Sequence, residues 1–289
     1  MENSDNRVFL TECPRDAMQG IKEWIDTDVK AGYINTLLNC GFDTLDFGSF
    51  VSPKAIPQMQ DTREVLSKLD LSATSTKLLA IVANERGAEE AVQYDEITYL
   101  GYPFSISETF QQRNTNASIE DSLKRVEHIQ NECIKADKSL VLYISMGFGN
   151  PYGDAWSPEL VMEWSHKLND LFRIKHLALS DTIGAANPEL VRSLFSTIIP
   201  ELPEVTFGAH LHTVRDGAYA LTQAAYEAGC RRFDGAIKGY GGCPMAKDEL
   251  TGNMPTELML DYFKDHDIQT GIDLKQFTES MMASSAVFH

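Results

Sequence analysis

Eight short runs of β-branched and apolar residues recur along this chain, each followed by a stretch with helical spacing. That alternation limits the available folds more than any other feature. The runs are residues 8–10, 43–47, 77–82, 96–100, 140–145, 176–179, 205–210 and 232–237, at intervals of roughly 20–45 residues. Helix starts stand between them. Ser157-Pro158-Glu159 and Asn187-Pro188-Glu189 each place a capping side chain before a first-turn proline and an acid. Ser118 opens a stretch whose apolar positions Leu123, Val126, Ile129 and Ile134 share one helical face. Parallel strands joined by helices, eight times over, predict an α/β fold closed into a (β/α)8 TIM barrel. The reading is one domain over residues 1–289, with residues 1–7 as a short N-terminal extension. The competing architecture is an open doubly wound sheet. Against it, the chain has no G-x-G-x-x-G after its first strand and no phosphate-binding G-x-x-x-x-G-K-[ST].

Charge narrows the partners. Lys and Arg total 25 against 42 Asp and Glu, a formal net charge of -17, so nucleic acid and anionic membranes are not expected partners. An anionic substrate needs a local cationic pocket. No apolar run approaches the roughly 18–20 residues of a membrane span. The polar N-terminus resembles neither a secretory signal nor a transit peptide, and a cytoplasmic location is expected. Five scattered cysteines without a C-x-x-C pair disfavour structural zinc and a disulfide framework. Asn116-Ala117-Ser118 has the form of a glycosylation triplet, but Ser118 is better read as a helix cap.

In a parallel barrel, chemistry belongs at the C-terminal ends of strands. Asp16 follows the first predicted strand, Asp46 ends the second and Asp181 follows the sixth. His210 and His212 end the seventh, and the glycine-flanked Cys243 follows the eighth. His210 and His212 are two residues apart on a strand, so both rings face the same way. They are either a hydrogen-bonded pair at the rim or ligands of a divalent cation. Asp16 and Asn253 favour the second reading. Two imidazoles, a carboxylate and an amide, with water completing the shell, suit Mg2+ or Mn2+, and Zn2+ also fits the donors. Arg15 beside Asp16 is either a surface ion pair or a substrate-facing cation. Cys243 sits in a loop too glycine-rich for a packed core, where a nearby cation would activate the thiol. Cys40, Cys133 and Cys230 read as inert buried thiols. Asp181 reads as a site residue or as a turn and helix cap. Lys54 and Arg113 offer positive charge to an anionic ligand or are solvated surface.

Taken together, several segments resemble the 3-hydroxy-3-methylglutaryl-CoA lyases of the metal-dependent lyase/aldolase/synthase barrels. They are Pro14-Arg15-Asp16, Ser49-Phe50-Val51-Ser52-Pro53-Lys54 with Pro57-Gln58-Met59, and Asn116-Ala117-Ser118-Ile119-Glu120. Asp181-Thr182-Ile183-Gly184, His210-x-His212, Gly241-Gly242-Cys243-Pro244, and Gly252-Asn253 with Thr256-Glu257 complete the set. They run in family order over almost the whole chain. The resemblance implies retro-Claisen cleavage of a 3-hydroxyacyl-CoA to acetyl-CoA and an oxo acid, and a homodimer. Carried over, Asp16, His210, His212 and Asn253 would bind the metal, and Arg15 would stabilise the enolate. Cys243 would protonate it, and His210 or Asp181 would act as base. Asp46 and Lys54 would belong to the substrate shell.

The chain departs from the family pattern at Asp46, usually Glu, and at Thr11, usually an acid, with Glu12 one place on. It also departs at Val141 for an arginine, at Thr213-Val214 for Asp-Thr, and at Gly149-Asn150-Pro151 for Gly-Cys-Pro. The alternatives are an acetyl-CoA-dependent condensing synthase, which lacks the GGCP thiol, and a non-catalytic acyl-CoA-binding barrel, which need not keep it.

Overall fold

In a parallel barrel each strand buries one face under helices and the other against the strands across the barrel, and this chain does both. The computed structural model describes residues 6–242 and 251–288. Its parallel strands are β1 (Phe9–Glu12), β2 (Thr44–Ser49), β3 (Lys77–Ile81), β4 (Ile97–Ser105), β5 (Ser139–Ser145), β6 (His176–Asp181), β7 (Thr206–Thr213) and β8 (Arg232–Gly235). They pair in chain order, and β8 pairs back to β1, closing the barrel. A two-residue strand β9 (Gly252–Asn253) lies antiparallel against the end of β7.

The helices begin with α1 (Pro14–Gln19), α2 (Thr27–Leu38), α3 (Thr62–Leu66), α4 (Glu85–Ala91) and α5 (Glu108–Thr115). They continue with α6 (Ile119–Lys135), α7 (Pro158–Phe172), α8 (Pro188–Glu201), α9 (Ala218–Glu227), α10 (Thr256–Asp265) and α11 (Leu274–Ala283). The sequence-predicted caps form: Ser118, Ser157 and Asn187 each accept a backbone N–H from the first turn of α6, α7 and α8.

All eight expected strands are present, with shifted ends. β4 runs five residues past its expected end, through Pro103. Its pairing with β3 stops at Gly101, so the proline lies where one neighbour has already left, and no ladder donor is missed on that side. The first five residues of the expected N-terminal extension are outside the described residues. Asn6 and Arg7 are tied down, with Arg7 bridging to Gln269 and the side chain of Asn6 donating to the Asp267 carbonyl.

The main apolar core fills the space between barrel and helices, with Phe42, Phe47, Phe104, Phe195, Phe233 and Phe263 fully buried. The inside of the barrel is divided. Leu79, Ile81, Val141, Tyr143 and Ala178 form an apolar cluster on the β3, β5 and β6 side. Arg232, Asp234 and His210 are buried on the β7 and β8 side. Val141 is therefore part of an apolar wall, which is what the missing arginine leaves.

Glu12 is fully buried and points to the other side of β1 from Thr11. Its Oε1 accepts the Ile237 N–H at 2.7 Å and its Oε2 the Thr256 hydroxyl at 2.6 Å. It thereby ties β1 to the segment after β8 and to the start of α10. Burial pushes this carboxyl from 4.5 up to about 8 despite those two donors. The folded chain thus keeps a proton that the unfolded chain releases. The contribution of that proton to stability is complete below about pH 4.5 and is lost as pH rises toward 8, by at most about 1.4 kcal/mol per pH unit. Glu12→Gln removes this dependence. Denaturant titrations at pH 5 and pH 8 are expected to show the variant gaining on the parent chain as pH rises; parallel curves would refute the assignment.

Candidate active site at the barrel mouth

The Cys13-Pro14 step ends β1 and starts α1. Proline's restricted φ suits the first helical position, and this short helix carries Arg15 and Asp16 in its first turn over the barrel mouth. Both side chains are buried. Arg15 donates from Nε to the Asp46 carboxylate at 3.1 Å, and from Nη1 to Asp16 Oδ1 at 2.9 Å and Gln19 Oε1 at 2.8 Å. Gln19 in turn donates to Asp16 Oδ1 at 2.6 Å. One guanidinium is shared by two carboxylates, and its remaining hydrogen-bonding capacity is small.

The other oxygen of Asp16 turns toward β7 and β9. Oδ2 accepts from Asn253 Nδ2 at 2.8 Å and lies 4.0 Å from His212 Nε2. The β7–β9 register sets Asn253 directly opposite His212. The two imidazoles have centroids 5.5 Å apart. One nitrogen from each ring and a carboxylate oxygen of Asp16 come within 4.8 Å of one another. Burial alone would raise Asp16, but Arg15, the two histidines and Asn253 outweigh it and bring the carboxyl to about 2. His212 is held down to about 4, chiefly by burial and then by His210, so its ring is neutral at ordinary pH.

A divalent cation suits these residues. Both nitrogens of His212 are buried without a hydrogen-bond partner among the described residues, the state of an imidazole built to bind something else. Asn253 spends its Nδ2 on Asp16 and on the Tyr240 carbonyl, and its carbonyl oxygen makes no hydrogen bond to a described group. Cys13, His210 and Asp234 form a second group at similar spacing. Burial and four nearby acids keep the Cys13 thiol protonated, and neither Cys13 nor Asp234 lines the cavity at the mouth. The Asp16 triad does line it, together with Arg15 and Gln19. This cavity holds about 140 Å³, and its far wall is apolar, with Val51, Ile56, Ile81 and Phe110.

Arg15, Asp16, His210, His212 and Asn253 are therefore brought together, although they come from three distant segments. Asp46 meets Arg15 rather than the cavity. Asp181 caps its own turn, accepting the N–H groups of Ile183, Ala185 and Ala186 at 3.1, 3.1 and 2.7 Å. Its neighbours Ser180 and Thr182 face the cavity instead. Lys54 is exposed on the loop after β2 and Arg113 stacks over Tyr152, so neither places its charge in the cavity. Cys243 lies outside the described residues. Gly241 just before it is needed for close approach as well as for its positive φ, because a Cβ there would lie 2.7 Å from Asn253 Nδ2 and 2.9 Å from Ala17 Cα.

Sequence reasoning missed Gln19 and Asp234. Asp234 had a readable signal, since Arg232 and Asp234 alternate on one strand and so share a face with each other. Its Oδ2 lies 3.3 Å from His210 Nδ1.

A cluster of oxygen and nitrogen donors that could hold a metal ion, at the C-terminal rim of a closed parallel barrel, marks an enzyme of the (β/α)8 class. Comparison with known proteins narrows this. The HMGL-like family model matches residues 8–283. The hydroxymethylglutaryl-CoA lyase YngG of Bacillus subtilis is 35% identical over 263 residues, covering 91% of this chain and 87% of the relative. The human mitochondrial hydroxymethylglutaryl-CoA lyase is 32% identical, with 95% and 83% covered. The crystal structure of the Bacillus subtilis HMG-CoA lyase superposes with a TM-score of 0.90 at 32% identity, over 98% of this chain and 94% of that one. An HMG-CoA lyase from Acinetobacter baumannii, solved with coenzyme A and 3-methylmalate, gives 0.90 at 29% identity over 100% and 94%. The chain belongs to the HMGL-like family.

The shared guanidinium makes one stability prediction. Asp46→Ala leaves Arg15 buried with half its partners, and unfolding free energy is expected to fall by about 3–5 kcal/mol in denaturant titration. A loss below about 1 kcal/mol would mean that the pair does not organise the mouth.

Proposed function

We propose that this protein is a divalent-metal-dependent carbon–carbon lyase that cleaves 3-hydroxy-3-methylglutaryl-CoA, or a related 3-hydroxyacyl-CoA, to acetyl-CoA and an oxo acid. The observation that carries the proposal is the convergence of Asp16, His210 and His212 beside Arg15 on one cavity. Asp16, His210, His212 and Asn253 would hold the cation, with Mg2+ or Mn2+ preferred for two oxygen and two nitrogen donors completed by water. When bound, the metal supplies Lewis acidity toward the substrate hydroxyl and an acyl oxygen.

The chain's own groups account for the proton and the charge. The substrate's 3-hydroxyl proton must leave as the C2–C3 bond breaks. His210 and Asp181 are the candidate bases of the family resemblance: one ring nitrogen of His210 faces Asp234 and the other would go to the cation, whereas the carboxylate of Asp181 accepts three backbone N–H groups and has a further lone-pair site for the proton. The electrons of the broken bond pass to the acetyl-CoA fragment as an enolate. Arg15, fixed by Asp46 and Asp16, presents its cationic edge to that oxygen without having to reorganise. Cys243 delivers a proton to the enolate carbon, a role suggested by its place in the Gly-Gly-Cys-Pro segment. The proposal includes the homodimer of the family resemblance, which size-exclusion chromatography checks.

Purified protein assayed with this substrate and Mg2+ or Mn2+ is expected to release acetyl-CoA, and EDTA to abolish the release. Cys243→Ala is expected to lower kcat by about 10²–10⁴-fold, the usual worth of a positioned proton donor. No acetyl-CoA from any 3-hydroxyacyl-CoA in a panel, with metal present, would sink the proposal.

A further inference from the structure

The two histidines at the mouth are not held alike. His212 has no partner for either ring nitrogen among the described residues. His210 has one, at 3.3 Å from Nδ1, in the Oδ2 of Asp234. The strand register sets this contact, since His210 pairs with Asp234 across β7 and β8 and the two side chains rise side by side into the barrel. Asp234 is held from its other edge. Its Oδ1 lies 3.6 Å from Arg232 Nη2, and that same Nη2 reaches Thr11 Oγ1 at 3.5 Å. All of these groups are buried.

We propose that Asp234 is the positioning residue of the metal site: it takes the Nδ1–H of His210, fixes that tautomer and ring orientation, and leaves Nε2 as the unprotonated nitrogen facing the cavity. The proposal rests on the metal reading of the site. An acceptor-only carboxylate requires a donor opposite it, and a neutral imidazole carries one proton. Placing that proton on Nδ1 frees Nε2 for the group that His210 forms with Asp16 and His212. Carboxylate partners of this kind orient ligating histidines and raise their basicity. The guanidinium of Arg232 lies against the other edge of Asp234, an arrangement in which the carboxylate accepts from the ring rather than donating to it. Thr11 completes this support. The acid that the family resemblance led us to expect at position 11 is absent, and Asp234 supplies buried negative charge opposite Arg232 from the neighbouring strand.

Asp234→Asn inverts the arrangement at almost unchanged volume. The amide oxygen is drawn to the Arg232 guanidinium, which leaves the NH2 facing Nδ1. Nδ1 must then be the acceptor, and the His210 proton moves to Nε2, where the cation would sit.

Nitrogen-15 NMR of the His210 ring, recorded on the neutral form at alkaline pH, reads the tautomer directly. Mn2+ titration followed by electron paramagnetic resonance reads affinity without turnover. The parent chain is expected to show the Nδ1–H form. Asp234→Asn, with its thermal midpoint near that of the parent, is expected to show the Nε2–H form and to bind Mn2+ about 10–100-fold more weakly. An Nε2–H tautomer in the parent overturns the proposal, and that measurement needs no variant. An unchanged tautomer in Asp234→Asn, or an inverted one with unchanged Mn2+ affinity, also overturns it. Should the parent bind no Mn2+ at all, the metal reading falls, and the tautomer arm alone decides whether Asp234 holds His210.

Discussion

One guanidinium organises the barrel mouth. Arg15 stands between the carboxylates of Asp46 on β2 and Asp16 on its own helical turn, with all three groups buried. Two buried acids without a cation would be unfavourable by several kcal/mol each, and a buried guanidinium without acids equally so. Sharing the one cation offsets the burial of both carboxylates: it helps bring Asp16 down to about 2, while burial still pushes Asp46 up to about 6. It also fixes direction. Because Arg15 and Gln19 occupy Oδ1 of Asp16, only Oδ2 faces Asn253 and His212. The chain carries a net charge of -17, yet its barrel mouth holds a buried cluster of both signs.

The second constraint is the short strand β9. It carries Asn253 across to His212 by two residue pairs, and its glycine passes close under the backbone at Gly239, 2.1 Å from where a Cβ would lie. Glu12 and Glu257 hold the roots of the same segment through the backbone N–H groups of Ile237 and Lys238. The glycines there read in sequence as the mark of a loop outside the packed core. In the fold, at least Gly241 is required because two backbones nearly touch.

How far the site was legible depended on chain distance and on side-chain competition. His210 and His212 were readable because a two-residue spacing on a strand has a single geometric meaning. Asp16 and Asn253 were readable only in company with them. Asp181 looked equally polar and equally well placed at a strand end, yet three backbone donors of its own turn claim its carboxylate, and no spacing rule reveals that. Lys54 lies in a segment shared with the family, but its stem follows the loop outward into solvent. Asp234 was overlooked because an acid two residues after an arginine on a strand looks like a local ion pair. Its partner of consequence, His210, is a strand away. Pro103 hid the second half of β4, because a proline counts against a strand until the neighbouring strand is known to have ended.

By itself the sequence determined the alternation of strand and helix, the closure into eight units, and the inventory of groups at strand ends, because periodicity and turn chemistry are local properties of a chain. Only the tertiary structure decided which of those groups share a hydrogen bond and which face the cavity. It tied one carboxylate of Arg15's pair to the guanidinium, turned an oxygen of the other toward Asn253 and His212, gave His210 a buried partner, and left His212 without one among the described residues. The physical reason is that these contacts join residues 24 to 237 apart in the chain, and the strand register that brings them together is settled by packing of the whole barrel.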